Sequence, residues 1–207
     1  MKQPIGVILA GGLARRMGGG DKGRLDLGGQ SILDHVIARL APQVDHVVIN
    51  ANGDQARFED LNLPVIADSV ADYPGPLAGV LAGLDWAAEV GADAIVTAAA
   101  DTPFFPSDLA PQLMSAAAGM PHPLALAATH DPHRDRLLRH PTFGLWPVAL
   151  REDLRTALRQ GVRKVVLWTD QHNAQSAQFP AEPDPFFNVN TPEDLQRART
   201  LYEGMSC

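Results

Sequence analysis

Four short apolar runs, Ile5–Leu9, Val47–Asn50, Val65–Ala67 and Ala94–Ala98, carry no regular polar alternation. A strand open to water on one face alternates, so strands without alternation are covered on both faces, as in a parallel sheet flanked by helices. Helical patterns lie between them. Ser31-Ile32-Leu33-Asp34 reads as a capping box, after which Leu33, Val36, Ile37 and Leu40 share one helical face. Leu77, Val80, Leu81, Leu84 and Ala88 form a second stripe, closed by Gly91. Thr191-Pro192-Glu193-Asp194 supplies a cap, a proline at the first helical position and acids in the first turn. This order predicts a three-layer α/β/α fold around a mostly parallel, Rossmann-like sheet with right-handed crossovers.

The 207 residues, 45% of them hydrophobic, suit one domain over residues 1–207 with a substantial core. The apolar content excludes a disordered chain, and a single cysteine, Cys207, excludes both a disulfide framework and a cysteine-based metal site. A net charge of −7 argues against nucleic acid as a partner, and no apolar run is long enough for a bilayer span. Lys2 followed by Ile5–Ala10 imitates a short signal peptide. Gly11-Gly12 interrupts that run, however, and Arg15-Arg16 stands where small cleavage-site residues belong. A buried first strand in a cytoplasmic protein is the expectation. Residues 120–146 break the rhythm and read as a strand, a long exposed loop and a second strand at Thr142–Trp146. Val165–Trp168 and Phe186–Asn190 read as further strands.

Eight of the 18 glycines fall between Gly11 and Gly29, where an even spread would place about two. They follow the first strand directly, and within residues 13–25 Arg15, Arg16, Lys22 and Arg24 outnumber Asp21. Glycines let backbone N–H groups crowd against a ligand, and the cations favour anionic oxygens, so a polyphosphate suits this loop. Its position at the carboxyl end of a strand is where open sheets bind ligands. It is not a Walker A loop, because Lys22 is followed by Gly23 and preceded by Asp21. Gly18, Gly20 and Gly23 match G-x-G-x-x-G too far past the strand, and the second strand ends in Asn50 rather than an acid.

Other strand ends carry polar residues of open meaning. Asp101 precedes Thr102-Pro103 and reads either as a carboxylate for a phosphate-bound cation or as the start of a turn. Asp68 reads as a ligand contact or a turn residue, and Asn50 as a group for a base edge or a ribose hydroxyl or as a plain loop asparagine. Tyr73-Pro74-Gly75-Pro76-Leu77-Ala78-Gly79 builds a rigid wall at a helix start. The spacing of His130, His133 and His140 matches no zinc pattern, so these histidines read as loop residues. Asn188 and Asn190 lie two apart and share a face. Arg163 and Lys164 read equally as phosphate contacts or as a surface pair.

Leu9-Ala10-Gly11-Gly12 with Arg15-Arg16-Met17-Gly18-Gly19 and Asp21-Lys22 resembles the signature loop of the nucleotidyltransferases with a glycosyltransferase-A-like fold. Taken with Asn50-Ala51-Asn52, Asp68-Ser69, Asp72–Gly79, Asp101-Thr102-Pro103, His140-Pro141-Thr142 and Asn188–Asp194, it resembles the molybdenum cofactor guanylyltransferases. The resemblance implies a nucleotide-diphospho-sugar transferase-like fold and transfer of GMP from GTP to the phosphate of molybdopterin, with release of pyrophosphate. It places Leu9, Ala10, Gly11, Gly12, Arg16, Lys22, Asn50, Asp68 and Asp101 on the nucleotide, with Mg²⁺ on Asp101 and catalysis at Arg16, Lys22 and Asp101. On the acceptor side it places Pro76, Gly79, His140, Asn188 and Asn190. It also implies contacts with a molybdoenzyme or a cofactor chaperone. A cytidylyl-, uridylyl- or sugar-nucleotide-forming relative, or a catalytically silent nucleotide-binding scaffold, is the alternative.

Overall fold

The computed structural model of the chain describes residues 2–11, 22–70, 75–131 and 135–205. Its strands are β1 (Ile5–Leu9), β2 (Asp26–Leu27), β3 (Gln30–Ser31), β4 (Val47–Asn50), β5 (Val65–Ile66), β6 (Ala94–Ala99), β7 (Ala125–Asp131), β8 (Arg136–Pro147) and β9 (Gln175–Phe179). Its helices are α1 (Ile32–Leu40), α2 (Pro76–Glu89), α3 (Leu109–Ala116), α4 (Arg151–Arg159), α5 (Val165–Gln171) and α6 (Pro192–Met205). Among the described residues seven strands form one sheet in the order β5-β4-β1-β6-β8-β7-β9, while β2 and β3 form a separate ribbon. β5, β4, β1 and β6 run parallel, β8 is antiparallel to both β6 and β7, and β9 is parallel to β7.

Side chains of successive strand residues enter opposite layers. Ile8, Ile49 and Val96 pack with α1 and α3, whereas Val7, Val48 and Ile95 pack with α2, α4 and α5. This is the expected three-layer fold. The capping box at α1 is present, with Ser31 Oγ accepting from Asp34 N at 3.1 Å and Asp34 Oδ2 accepting from Ser31 N at 2.9 Å. Thr191 caps α6 in the same reciprocal way through Asp194. A small third core of Leu27, Ile32, Phe187, Val189 and Ala198 fastens the β2–β3 ribbon to α6.

Three expectations are corrected. The loop expected before Thr142 is strand, since β8 begins at Arg136 and pairs with β7 as an antiparallel ribbon. Arg136, Leu137 and Leu138 are exposed, so no buried face imprinted a period on them. Val165–Trp168 is the first turn of α5, in which Val165 and Trp168 are buried and Leu167 faces water. Packing on α4 overrides the β-preference of the two valines, and Trp168 Nε1 donates to Asp153 Oδ1 at 2.8 Å. Phe186–Asn190 joins no sheet. Its tie to the neighbouring strand end is one backbone bond, Val189 N to Asp101 O at 2.8 Å.

Candidate active site

The parallel strands deliver their carboxyl ends to one edge of the sheet. β4 ends on Asn50, Asp68 follows β5 by two residues, and Asp101 follows β6 by two. Leu9, Ala10 and Gly11 lie between them, with Ala10 N bonded to Asn50 O at 2.9 Å and Ala100 N to Leu9 O at 3.2 Å. Gly12 and Arg16 lie outside the described residues. The edge is the ligand-binding side of an open parallel sheet.

Lys22 sits in a single 3₁₀ turn past the glycine-rich segment, and its Nζ donates to Asn190 Oδ1 at 2.7 Å. The fully buried Thr102 hydroxyl bridges Asn188 Oδ1 and Asp101 Oδ1, the latter at 3.3 Å. Asn188 and Asn190 are therefore held against the two charged groups expected at the phosphates. Burial pushes the Asp101 carboxyl above its ordinary range, opposed by the Lys22 ammonium, the Thr102 hydroxyl and a backbone N–H. A buried carboxylate with a raised pKa fits a divalent cation, which would offset the cost of its charge. Among the described residues no group of three or more His, Cys, Asp or Glu could hold a metal ion. One carboxylate completed by substrate phosphates is a donor set that suits Mg²⁺.

Asn50 is buried, and its Nδ2 donates to Ile66 O at 3.3 Å and to Asp68 Oδ1 at 3.0 Å. Its Oδ1 points at α2, where a Cβ on Gly79 would lie 2.2 Å away, with Leu9 Cδ2 at 2.9 Å. Gly79 thus permits the close approach of α2 to the ends of β1 and β4. Gly79→Ala is expected to cost about 1–3 kcal/mol, the usual penalty of overpacking, and to displace Asn50 from Asp68. Thermal unfolding and nucleotide titration of the variant measure the two effects.

Pro76 opens α2 immediately after Gly75, whose φ of 132° suits only glycine. A Cβ on Gly75 would stand 4.0 Å from the Arg163 carbonyl, so this helix start and the Arg163 segment line the same place. His140 lies on β8, with Nε2 bonded to Thr129 Oγ1 at 2.9 Å and its ring stacked on Phe186 at 4.1 Å. Burial holds its pKa below the ordinary histidine range, against the upward pull of Asp184. A depressed folded pKa means that the unfolded chain binds more protons. The stability His140 supports is then present above pH about 6.5 and lost as pH falls through the folded value. Melting temperature should drop on acidification from pH about 7 to about 5, and less steeply in His140→Gln.

Two participants escape a reading of the sequence. Thr102 follows Asp101 directly, and Asn52 stands two positions after Asn50. Both spacings are signals, yet neither reports the partner that each side chain reaches.

Lysine, carboxylate and amides gathered at the carboxyl edge of such a sheet are the arrangement of a nucleotidyltransferase. The chain belongs to the MobA-like NTP transferase domain family, whose model matches residues 6–175. It is 50% identical over 200 residues to a molybdenum cofactor guanylyltransferase of Nitrobacter hamburgensis, covering 95% of this chain and 93% of that one. It is 51% identical over 198 residues to a protein of the same name from Cereibacter sphaeroides, covering 95% and 96%. Its fold matches molybdopterin-guanine dinucleotide biosynthesis protein A from Archaeoglobus fulgidus, with a TM-score of 0.72, 24% identity, and 97% and 100% of the two chains covered. It also matches the CMP:2-keto-3-deoxy-manno-octonic acid synthetase complexed with CTP, at a TM-score of 0.73 and 15% identity over 99% and 100% of the chains. Likeness at that identity bears on the fold alone. Among the described residues no helix is long and apolar enough to cross a membrane.

Proposed function

We propose that this chain is a cytoplasmic enzyme that transfers GMP from GTP to the phosphate of molybdopterin, forming the guanine dinucleotide cofactor and releasing pyrophosphate. The observation that carries the reading is the meeting of Lys22 and Asp101 with the Asn188–Asn190 segment, in a chain half identical to molybdenum cofactor guanylyltransferases. An acceptor phosphate oxygen attacks the α-phosphorus of GTP, and the bond between the α-phosphorus and the bridging oxygen breaks as pyrophosphate leaves. No covalent protein intermediate is needed, because phosphoryl-type transfer rests on positioning and charge neutralisation. The backbone at Leu9–Gly12 borders the nucleotide. Arg16 and Lys22 balance the charge that develops on the leaving pyrophosphate, while Asn50 and Asp68 orient the nucleoside. Asn188, Asn190 and His140, whose ring stacks on Phe186, form the acceptor side, while Pro76 and Gly79 are assigned to it by resemblance alone, Gly79 being packed against Asn50. Asp101 is the residue that would hold Mg²⁺, and the ion, when bound, neutralises phosphate oxygens.

Calorimetric titration with GTP, ATP, CTP and UTP, paired with pyrophosphate release in the presence of molybdopterin, tests the reading. Selective GTP binding with acceptor-dependent pyrophosphate release is expected. Selective CTP or UTP binding would replace the substrate, and no binding to any nucleotide would overturn the enzyme.

A further inference from the structure

Asp68 is held by more than its place beside β4. Each carboxylate oxygen takes one amide hydrogen, Oδ1 from Asn50 Nδ2 at 3.0 Å and Oδ2 from Asn52 Nδ2 at 2.7 Å. Asn52 Oδ1 in turn accepts the Asp68 backbone N–H at 2.9 Å. The side chain of Asn52 therefore closes a two-bond ring with a single residue, fixing both the backbone and the carboxylate plane of Asp68. Asn52 is itself anchored, since its carbonyl accepts from Arg57 Nη2 at 2.9 Å. Asn50 approaches from the buried side and cannot retreat, because its amide fills the space left by Gly79.

A carboxylate has about four lone-pair sites, and the two asparagines occupy one on each oxygen. Two sites remain, one on each oxygen, in the plane that the two amides fix. Such a pair suits two adjacent donors on one ligand, and a guanosine nucleotide carries two sets: the N1–H and 2-amino group of the base, and the two hydroxyls of the ribose. Asn52 touches neither by this argument. Its work is to keep the carboxylate turned toward them.

We infer that Asn52 is a positioning residue for nucleoside recognition, clamping Asp68 so that its two free lone pairs receive a pair of adjacent donors from the bound nucleotide. This inference rests on the proposed guanylyl transfer and adds a residue to it. Removing Asn52 lets the Asp68 side chain rotate. Nucleoside contacts weaken, while the triphosphate contacts at Lys22 stay.

The test uses the whole chain and calorimetry with GTP, ITP, 2′-deoxy-GTP and inorganic pyrophosphate, on the wild type, Asn52→Ala and Asn52→Asp. ITP lacks the 2-amino donor and 2′-deoxy-GTP lacks one hydroxyl, so the wild-type preference for GTP over each identifies which pair of donors Asp68 receives. Asn52→Ala should weaken GTP by about 10-fold, the value of one charge-assisted hydrogen bond, and erase that preference. Pyrophosphate affinity and melting temperature should stay at wild-type values. Asn52→Asp sets a second carboxylate against Asp68 and should weaken GTP further than alanine does. In turnover, KM for GTP should rise while kcat holds, the split expected of lost uniform binding. Wild-type GTP affinity in Asn52→Ala, or an equal loss for GTP and pyrophosphate, overturns the inference and leaves the proposed function standing. A wild-type chain that does not bind GTP overturns both.

Discussion

Replacing Lys22 by alanine is expected to lower kcat/KM by about 10²- to 10⁴-fold, the cost of one charge contact to a transition state that develops negative oxygen. Lys22 stands between two groups that depend on it. Its ammonium donates to Asn190 Oδ1 at 2.7 Å and holds down the pKa of the buried Asp101 carboxyl. Alanine therefore removes the proposed phosphate contact, releases Asn190, and leaves Asp101 with a less stable negative charge. The acidic limb of the pH–rate profile should move to higher pH in the variant, because Asp101 then protonates more easily. Lys22→Arg should restore part of the activity, since the charge returns on a planar group that presents its donors differently. Initial rates of pyrophosphate release between pH about 5 and 9 measure all three. Near-normal turnover in Lys22→Ala would exclude Lys22 from the reaction.

Asp101→Asn should abolish most turnover, by about 10³-fold or more, if the carboxylate serves the phosphate end as proposed. The same change is expected to make the fold more stable at neutral pH. Burial raises the folded pKa of Asp101, so the folded chain binds a proton more readily than the unfolded chain. Stability from this group is complete below the unfolded pKa and is lost as pH rises through the folded one. At pH 7 the wild type carries a buried charge that costs stability, and asparagine, uncharged and of the same shape, removes the cost. The gain in melting temperature should shrink as pH is lowered toward the carboxylate range. Thermal unfolding at pH about 7 and about 4.5, beside activity, separates this outcome from a misfolded variant, which would lose both.

The parallel core was legible because its physics is local. Ile5–Leu9, Val47–Asn50 and Ala94–Ala99 are apolar on both faces, and the caps at Ser31 and Thr191 are written in adjacent residues. The antiparallel edge was not. β8 before His140 owes its strand form to pairing with β7 rather than to a buried face, so Arg136–Arg139 carry no period to read. The helix at Val165–Gln171 was hidden for the opposite reason, because two β-branched residues open it and only packing on α4 decides its form.

The site divides in the same way. A glycine-rich, cationic loop after a buried strand, and polar residues at the ends of parallel strands, follow from chain order alone, because strand direction places those ends at one edge of the sheet. Which partners they meet does not. Lys22 and Asn190 are 168 positions apart, and Thr102 and Asn188 are 86 apart. These pairs meet because the third core binds the β2–β3 ribbon to Val189 and α6. The closeness of Asn50 to Gly79 likewise depends on how deeply α2 settles onto β1 and β4. Residue types and strand direction supplied the chemistry and its edge of the sheet; contacts between distant segments, stabilised only once the core is packed, decided which groups act together.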